Sequence, residues 1–232
     1  MIEYKIGVLI KILQIIRDIM SKGLMIVIDG SNGAGKTTVI KKVEEYVKTK
    51  GLEAVLTREP GGTPISEKIR EIILDKENSE MCDLTELLLF AASRAQHVNE
   101  KIIPAIKRGA VVISDRFDAA TISFQHYARG IDLELITKIN DIAKAGFQPD
   151  MNIILDLDPH TGLERVHGRG DKLDRMEDEK MDFLTKARNG YLEQAKENPN
   201  LFTVIDASQS KEQVADEAIA CVEKLLLSHG LC

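Results

Sequence analysis

Residues Gly30-Ser31-Asn32-Gly33-Ala34-Gly35-Lys36-Thr37-Thr38 follow the pattern glycine, four residues, glycine, lysine, threonine. Immediately before them runs Leu24-Met25-Ile26-Val27-Ile28, an unbroken apolar stretch of the kind buried on both faces in a parallel sheet. Behind them, Val39 to Lys50 reads as a helix. Strand, glycine loop and helix in that order make a phosphate-binding loop rather than an incidental glycine-rich turn. The glycines permit a tight turn whose backbone N–H groups converge on phosphate oxygens, where a Cβ would intrude. The helix adds its unpaired N-terminal N–H groups and the positive end of its dipole. Lys36 has the reach for the outer phosphates, and the Thr37 hydroxyl suits Mg²⁺. Gly30 to Thr38 are thus the candidate nucleotide-binding residues.

The rest of the chain alternates strands with helices, the pattern of a parallel sheet with crossover helices. Further strands are expected at Ala54–Thr57, Ala110–Ser114, Met151–Leu157 and Phe202–Ile205. Helices are expected over Pro64–Leu74, Glu86–Lys107, Leu133–Ala145, Phe183–Ala195 and Val214–Leu227, with a further helix starting at Leu163–Val166. Thr63 with Pro64 forms a helix start, since proline suits the first helical position. The fold class is therefore α/β, a parallel sheet of about five strands flanked by helices. The sequence shows no repeat, low-complexity tract or linker, so residues 23–232 read as a single domain. Residues 1–22 read as an N-terminal extension. Ile6 to Ile16 is apolar but interrupted by Lys11 and too short to span a bilayer. An amphipathic helix, a membrane-surface helix and a start codon placed too early compete there. The last is preferred, because nothing before Gly23 is needed by the domain.

Charge narrows the partners. The 232 residues carry a net charge of −6, which argues against nucleic acid as a partner and places phosphate affinity in local sites. The three cysteines, Cys82, Cys221 and Cys232, have neither metal-ligand nor redox spacing, as expected of reduced thiols in the cytoplasm. The five histidines are dispersed, and each reads first as a surface or core residue.

Two further constellations fall where such a sheet collects ligands, beyond the carboxyl ends of its strands. Ser114-Asp115-Arg116 closes a buried apolar strand. There, Asp115 is a candidate for Mg²⁺ or its water shell, and Arg116 is a fork-shaped phosphate clamp; the competing reading is a surface ion pair. The second is Arg165, Arg169, Asp171, Lys172, Asp174, Arg175 and Glu177 with Gly168 and Gly170. A run this charged is ordinarily a solvated face, but arginines on a glycine-hinged segment can also close over a transferring phosphate.

Thr57-Arg-Glu-Pro-Gly-Gly-Thr-Pro-Ile, Leu88-Leu-Phe-Ala-Ala-Ser-Arg-Ala-Gln, Ser114-Asp-Arg-Phe and Leu173-Asp-Arg-Met-Glu resemble, in order and spacing, the signature segments of thymidylate kinases. The resemblance runs from about Leu24 to the C-terminal helix, and Arg-Glu-Pro-Gly-Gly-Thr-Pro is its most specific part. It implies a P-loop kinase fold with an Arg-rich lid over about residues 168–178. It also implies ATP- and Mg²⁺-dependent phosphorylation of dTMP to dTDP, and a cytoplasmic homodimer with no membrane partner. By position, Phe90 matches the aromatic that stacks on thymine, and Arg94 the arginine that reads a base carbonyl. Thr121 matches the polar residue at the base edge. Phe124 matches the aromatic beside the sugar 2′ position, and Arg116 the clamp on the dTMP phosphate. Asp115 matches the carboxylate on the metal side, and Glu59 falls in the acceptor-side loop.

Asn32 stands where the family often has an acid, Phe117 where Tyr or His is common, and Phe124 where Tyr is usual. The loop lacks an arginine at positions 31–34, so the catalytic arginine is expected in the lid, at Arg169 or Arg175. Rival readings are another phosphate-loop nucleoside or nucleotide kinase, which would lack Arg58-Glu-Pro-Gly-Gly, and a nucleotide-gated regulatory module. A guanine-reading GTPase of the latter kind would need an Asn-Lys-x-Asp segment that Leu155-Asp-Leu-Asp-Pro159 does not supply, and intact Lys36, Thr37, Asp115 and Arg116 argue against an inactive relative that only binds.

Overall fold

The computed structural model describes residues 23–168 and 174–231. Five strands form one parallel sheet in the order β2-β3-β1-β4-β5. They are β1 (Leu24–Gly30), β2 (Ala54–Arg58), β3 (Val111–Asp115), β4 (Met151–Asp156) and β5 (Phe202–Asp206). Every residue of β1 is buried, as its unbroken apolar run requires. Leu24, Ile26 and Ile28 face a layer containing Val39, Val43, Val47, Val214 and Val222. Met25 and Val27 point the other way, toward Val98, Ile102 and Phe117. The sheet is therefore a filling between two helical layers, as the strand–helix alternation demands.

The helices are α1 (Lys36–Thr49), α2 (Pro64–Leu74), α3 (Asp83–His97), α4 (Ile103–Lys107), α5 (Asp118–Thr121), α6 (Leu133–Lys144), α7 (Pro159–His167), α8 (Met181–Glu197) and α9 (Lys211–Ser228). Thr63 caps α2 by accepting from the Ser66 N–H, with Pro64 at the helix start as expected. The long helix expected over Glu86–Lys107 begins earlier, at Asp83, and is not uniform. Val98–Ile102 form a wide π turn before α4. Pro104 accounts for it: proline has no N–H for the ladder and its ring crowds the preceding turn, so the helix loosens there.

Besides a single 3-10 turn at Lys76–Asn78, one helix had no counterpart in the sequence. α5 runs on into a π turn at Ile122–Ala128, and this short helix carries Thr121 and Phe124. Phe117 at its N-cap position makes no side-chain cap bond, so α5 has no start signal. Packing against α8 supports it instead. The approach is close enough that a Cβ at Gly190 would lie 2.7 Å from the Tyr127 ring.

The strand order sets the site. The chain leaves β1 toward β2 on one side and leaves β3 toward β4 on the other, so the crevice between the carboxyl ends of β1 and β3 is a topological switch point. Ile28 pairs with Asp115 at that edge. The glycine loop and Asp115-Arg116 thereby meet.

Candidate active site

The loop after β1 takes its shape from its glycines. Gly30 lies at φ 127°, and a Cβ there would sit 2.2 Å from the Leu155 carbonyl oxygen. Gly33, at φ 76°, is pressed against α7 at Gly162 in the same way. Neither position accepts a side chain. Gly35, also left-handed, leads into α1, so the loop's N–H groups and the start of the helix share one concavity.

A cleft of about 600 Å³ opens from this loop. It gathers Asn32, Gly33, Gly35, Lys36, Thr37, Thr38, Glu59, Phe90, Arg94, Asp115, Arg116, Thr121 and Phe124, all expected from sequence, on one surface. Gly30, Ser31 and Ala34 supply the loop backbone rather than the cleft wall. A second cleft of about 500 Å³ adjoins the same loop and is lined by Arg165, Ser210 and Lys211 among others.

At the phosphate end, Lys36 Nζ donates to the carbonyls of Gly30 (3.1 Å) and Ser31 (3.0 Å). Burial, with the Arg116 charge nearby, lowers its pKa to about 8, against the pull of Asp115 and Asp29. Arg116 holds φ 68°, a left-handed conformation that costs a side-chain-bearing residue roughly 1–3 kcal/mol. Its surroundings fix it there. Nη1 donates to Asp29 Oδ1 (2.7 Å) and to the Tyr191 hydroxyl (2.8 Å), and Nη2 donates to Asn32 Oδ1 (2.7 Å). The guanidinium also lies 5.3 Å from the Phe124 ring centroid. Asp115 lines the cleft at the end of β3, and its backbone carbonyl accepts from the Glu59 N–H.

At the other end, Arg94 reaches in from α3, one turn after Phe90, and is 2% exposed. Its Nε donates to Glu59 Oε2 (2.8 Å) and Nη1 to Asn140 Oδ1 (2.7 Å). Nη2 donates to the Phe117 carbonyl and to the Thr121 hydroxyl, both at 3.0 Å. A guanidinium has five N–H groups. These four bonds leave one N–H on Nη1 for an acceptor in the cleft. Phe117, where a polar residue was expected to be missed, is fully buried and contributes its carbonyl instead.

The lid arginines divide. Arg169, Asp171 and Lys172 lie outside the described residues. Arg175 lies within them but does not line the cleft: its Nε donates to the Ile73 carbonyl (2.7 Å) and its Nη2 pairs with Glu86 (2.5 Å). Arg129 and Gln125 engage the same buried Glu86 carboxylate. Thus Arg175 is drawn into an acidic socket beneath α3.

Sequence reasoning missed Asp29, Tyr191, Arg70, Gln125 and His97. Asp29 had a signal, a carboxylate at the end of a wholly buried strand. Arg70 was an ordinary helix arginine in the sequence, yet it lines the cleft and donates to the Pro60 carbonyl (2.8 Å). Tyr191 and Gln125 sit on helices whose placement only the fold reveals.

A family model described as thymidylate kinase matches residues 28–218. A thymidylate kinase of Clostridium novyi (strain NT) is 43% identical over 199 residues, covering 85% of this chain and 97% of the relative. One from Hahella chejuensis is 44% identical over 195 residues, covering 84% and 93%. One from Geobacillus sp. (strain WCH70) is 44% identical over 202 residues, covering 87% and 96%.

Proposed function

Since the chain belongs to the thymidylate kinase family and phosphorylates dTMP to dTDP with ATP as donor, we propose that the cleft between the β1 and β3 ends performs that transfer through the residues named above. The observation that carries this assignment is the convergence of Lys36, Arg116, Phe90 and Arg94 on one surface. In this reading the loop N–H groups and Lys36 hold the donor's β- and γ-phosphates. Arg116 clamps the dTMP phosphate, Phe90 stacks on thymine, and the remaining Nη1 N–H of Arg94 meets a base carbonyl. Thr121 fixes Arg94 at the base edge, and Phe124 crowds the sugar 2′ position. Glu59 holds Arg94 rather than touching the acceptor.

The chemistry is a displacement. An oxygen of the dTMP phosphate bonds to the γ-phosphorus, the bond from that phosphorus to the β–γ bridging oxygen breaks, and the electron pair leaves with ADP. The residues supply in-line placement and positive charge, not a covalent intermediate. Arg169 or Arg175 is the proposed donor-side arginine. Because Arg175 is tied to Glu86, Arg169 is the better candidate.

Mg²⁺ fits the site. The Thr37 hydroxyl and Asp115 line the same cleft, and one or two protein ligands suffice for an ion that arrives largely on phosphates and water. Held there, it would neutralise charge between the phosphates.

A homodimer is also proposed. Exposed Leu84 and Leu88 on α3, and Leu133, Leu135 and Ile142 on α6, give neighbouring helices apolar outer faces that suit a second copy. Cytoplasmic location remains part of the same proposal; among the described residues no helix is long and apolar enough to cross a membrane. Residues 1–22 are proposed to be an extension to a domain that starts at Gly23. In support, the family match begins at residue 28. ADP release measured across a panel of nucleoside monophosphates tests the assignment. dTMP should be the best acceptor; a preference for AMP or CMP would contradict it.

A further inference from the structure

His97 read in the sequence as one of five scattered histidines, and in the structure it is fully buried beside the acceptor end of the cleft. It lies one turn after Arg94 on α3, so both side chains point from the same helix face. Between them they hold Glu59, which is 5% exposed. Arg94 Nε takes Oε2 at 2.8 Å, and His97 Nδ1 lies 2.9 Å from Oε1. On its far side His97 Nε2 lies 2.6 Å from the Thr57 hydroxyl.

These partners select a tautomer. A carboxylate oxygen accepts, so Nδ1 carries the proton, and Nε2 is then the acceptor for the Thr57 O–H. The Arg-Glu-Pro-Gly-Gly loop is shaped around these partners. A Cβ on Gly62, at φ 88°, would sit 2.6 Å from both His97 Nε2 and Thr57 Oγ1.

Building on the acceptor reading above, we propose that His97 is a positioning residue for base recognition, an imidazole that fixes Glu59 from Thr57 and thereby aims Arg94 at the base carbonyl. Without it, Glu59 Oε1 is left buried without its donor, and the carboxylate is free to turn away from Nε of Arg94. A residue that merely filled space would have no reason to affect one substrate and not the other.

The test compares His97→Leu, which removes both ring nitrogens, with His97→Asn, whose amide N–H occupies the Nδ1 position, in the full chain. His97→Leu should raise the dTMP KM about tenfold, the scale of one hydrogen bond to a charged group, with the ATP KM and kcat within about twofold of wild type. His97→Asn should restore most of the dTMP KM. An unchanged dTMP KM in His97→Leu, equal rises in both KM values, or a His97→Asn as impaired as His97→Leu would overturn the proposal. If His97→Leu fails to fold, Thr57→Val supplies the test. It removes the hydroxyl that orients the ring and should raise the dTMP KM alone; no change, or a rise in both KM values, refutes the relay. Wild-type acceptor preference is measured first, so a failure of the dTMP reading is seen separately. The variants are then scored in the KM of whichever acceptor is preferred.

Discussion

At the phosphate end of the cleft, Lys36 rests on two carbonyls of its own loop, and Arg116 rests on Asp29, Tyr191 and Asn32. At the base end, Arg94 is wedged among Glu59, Asn140, Thr121 and the Phe117 carbonyl with one N–H to spare. The difference is in what must change when substrates arrive. The phosphate end is a backbone cradle with cations resting on protein acceptors, which in the proposed mechanism a phosphate would replace. The base end is already assembled and buried, with one Arg94 N–H and the Asn140 amide nitrogen left without a partner, so a base lacking the right carbonyl should leave that N–H unpaired. Such a site discriminates by what it leaves unsatisfied. Residues of the first region should therefore govern kcat, and those of the second the dTMP KM and the choice of base.

The harshest way to break this division is Lys36→Ala. Loss of a charge placed on the β- and γ-phosphates should lower kcat on the order of 10³-fold with the melting temperature retained. Near-normal turnover would remove the loop from the chemistry. Next, Asp29→Asn should lower kcat by about 10²-fold, because Arg116 loses the charge that holds its strained backbone and fork in place, and misplacement of about 1 Å costs that much. If Asp29→Asn changes only stability, Arg116 is positioned by other groups. Arg94→Ala should instead act on binding: about 10- to 100-fold in the dTMP KM, from roughly 1.5–3 kcal/mol of a charge-assisted hydrogen bond. The gap between dTMP and dCMP should narrow as well. A large fall in kcat at unchanged KM would erase the contrast between the two ends.

Smaller effects sharpen the picture. In the free enzyme Lys36 loses its proton as pH rises through about 8, and only the charged form attracts phosphate. kcat/KM for ATP should accordingly fall up to tenfold per pH unit above that point. The limb in kcat should lie at higher pH, because bound phosphates favour the charged form. A flat profile to pH 10 would mean that burial does not lower this lysine. Smallest of all, deleting residues 1–19 should leave kcat and both KM values within about twofold of the full chain, since phosphoryl transfer draws only on residues from the loop onward. A loss of activity or of soluble protein would make that segment part of the enzyme.

Legibility followed the same divide. The five strands, the glycine loop and Asp115-Arg116 were readable because backbone demands write themselves into sequence as apolar runs and glycines at fixed intervals. Phe90, Arg94, Thr121 and Phe124 came through resemblance alone, since nothing in their periodicity separates them from core or surface residues. The residues that hold the reading groups in place were hidden. Asp29 reaches Arg116 across 87 positions of sequence, Glu59 reaches Arg94 across 35, and Tyr191 reaches Asp29 across 162. A hydrogen bond between distant residues leaves no local pattern. The helix bearing Thr121 was missed for a related reason, as packing on α8 rather than its own caps stabilises it.

The most direct measurement is a crystal structure of the complex with dTMP and a non-hydrolysable ATP analogue. In that complex Lys36 Nζ should leave the Gly30 and Ser31 carbonyls, now 3.1 and 3.0 Å away, for the donor phosphates. Arg116 should turn part of its fork to the dTMP phosphate, while Arg94 keeps Glu59, Asn140 and Thr121 and adds one bond from Nη1 to the base. Arg94 swinging free of Glu59 to meet the base, with Lys36 still seated on its loop, would contradict this.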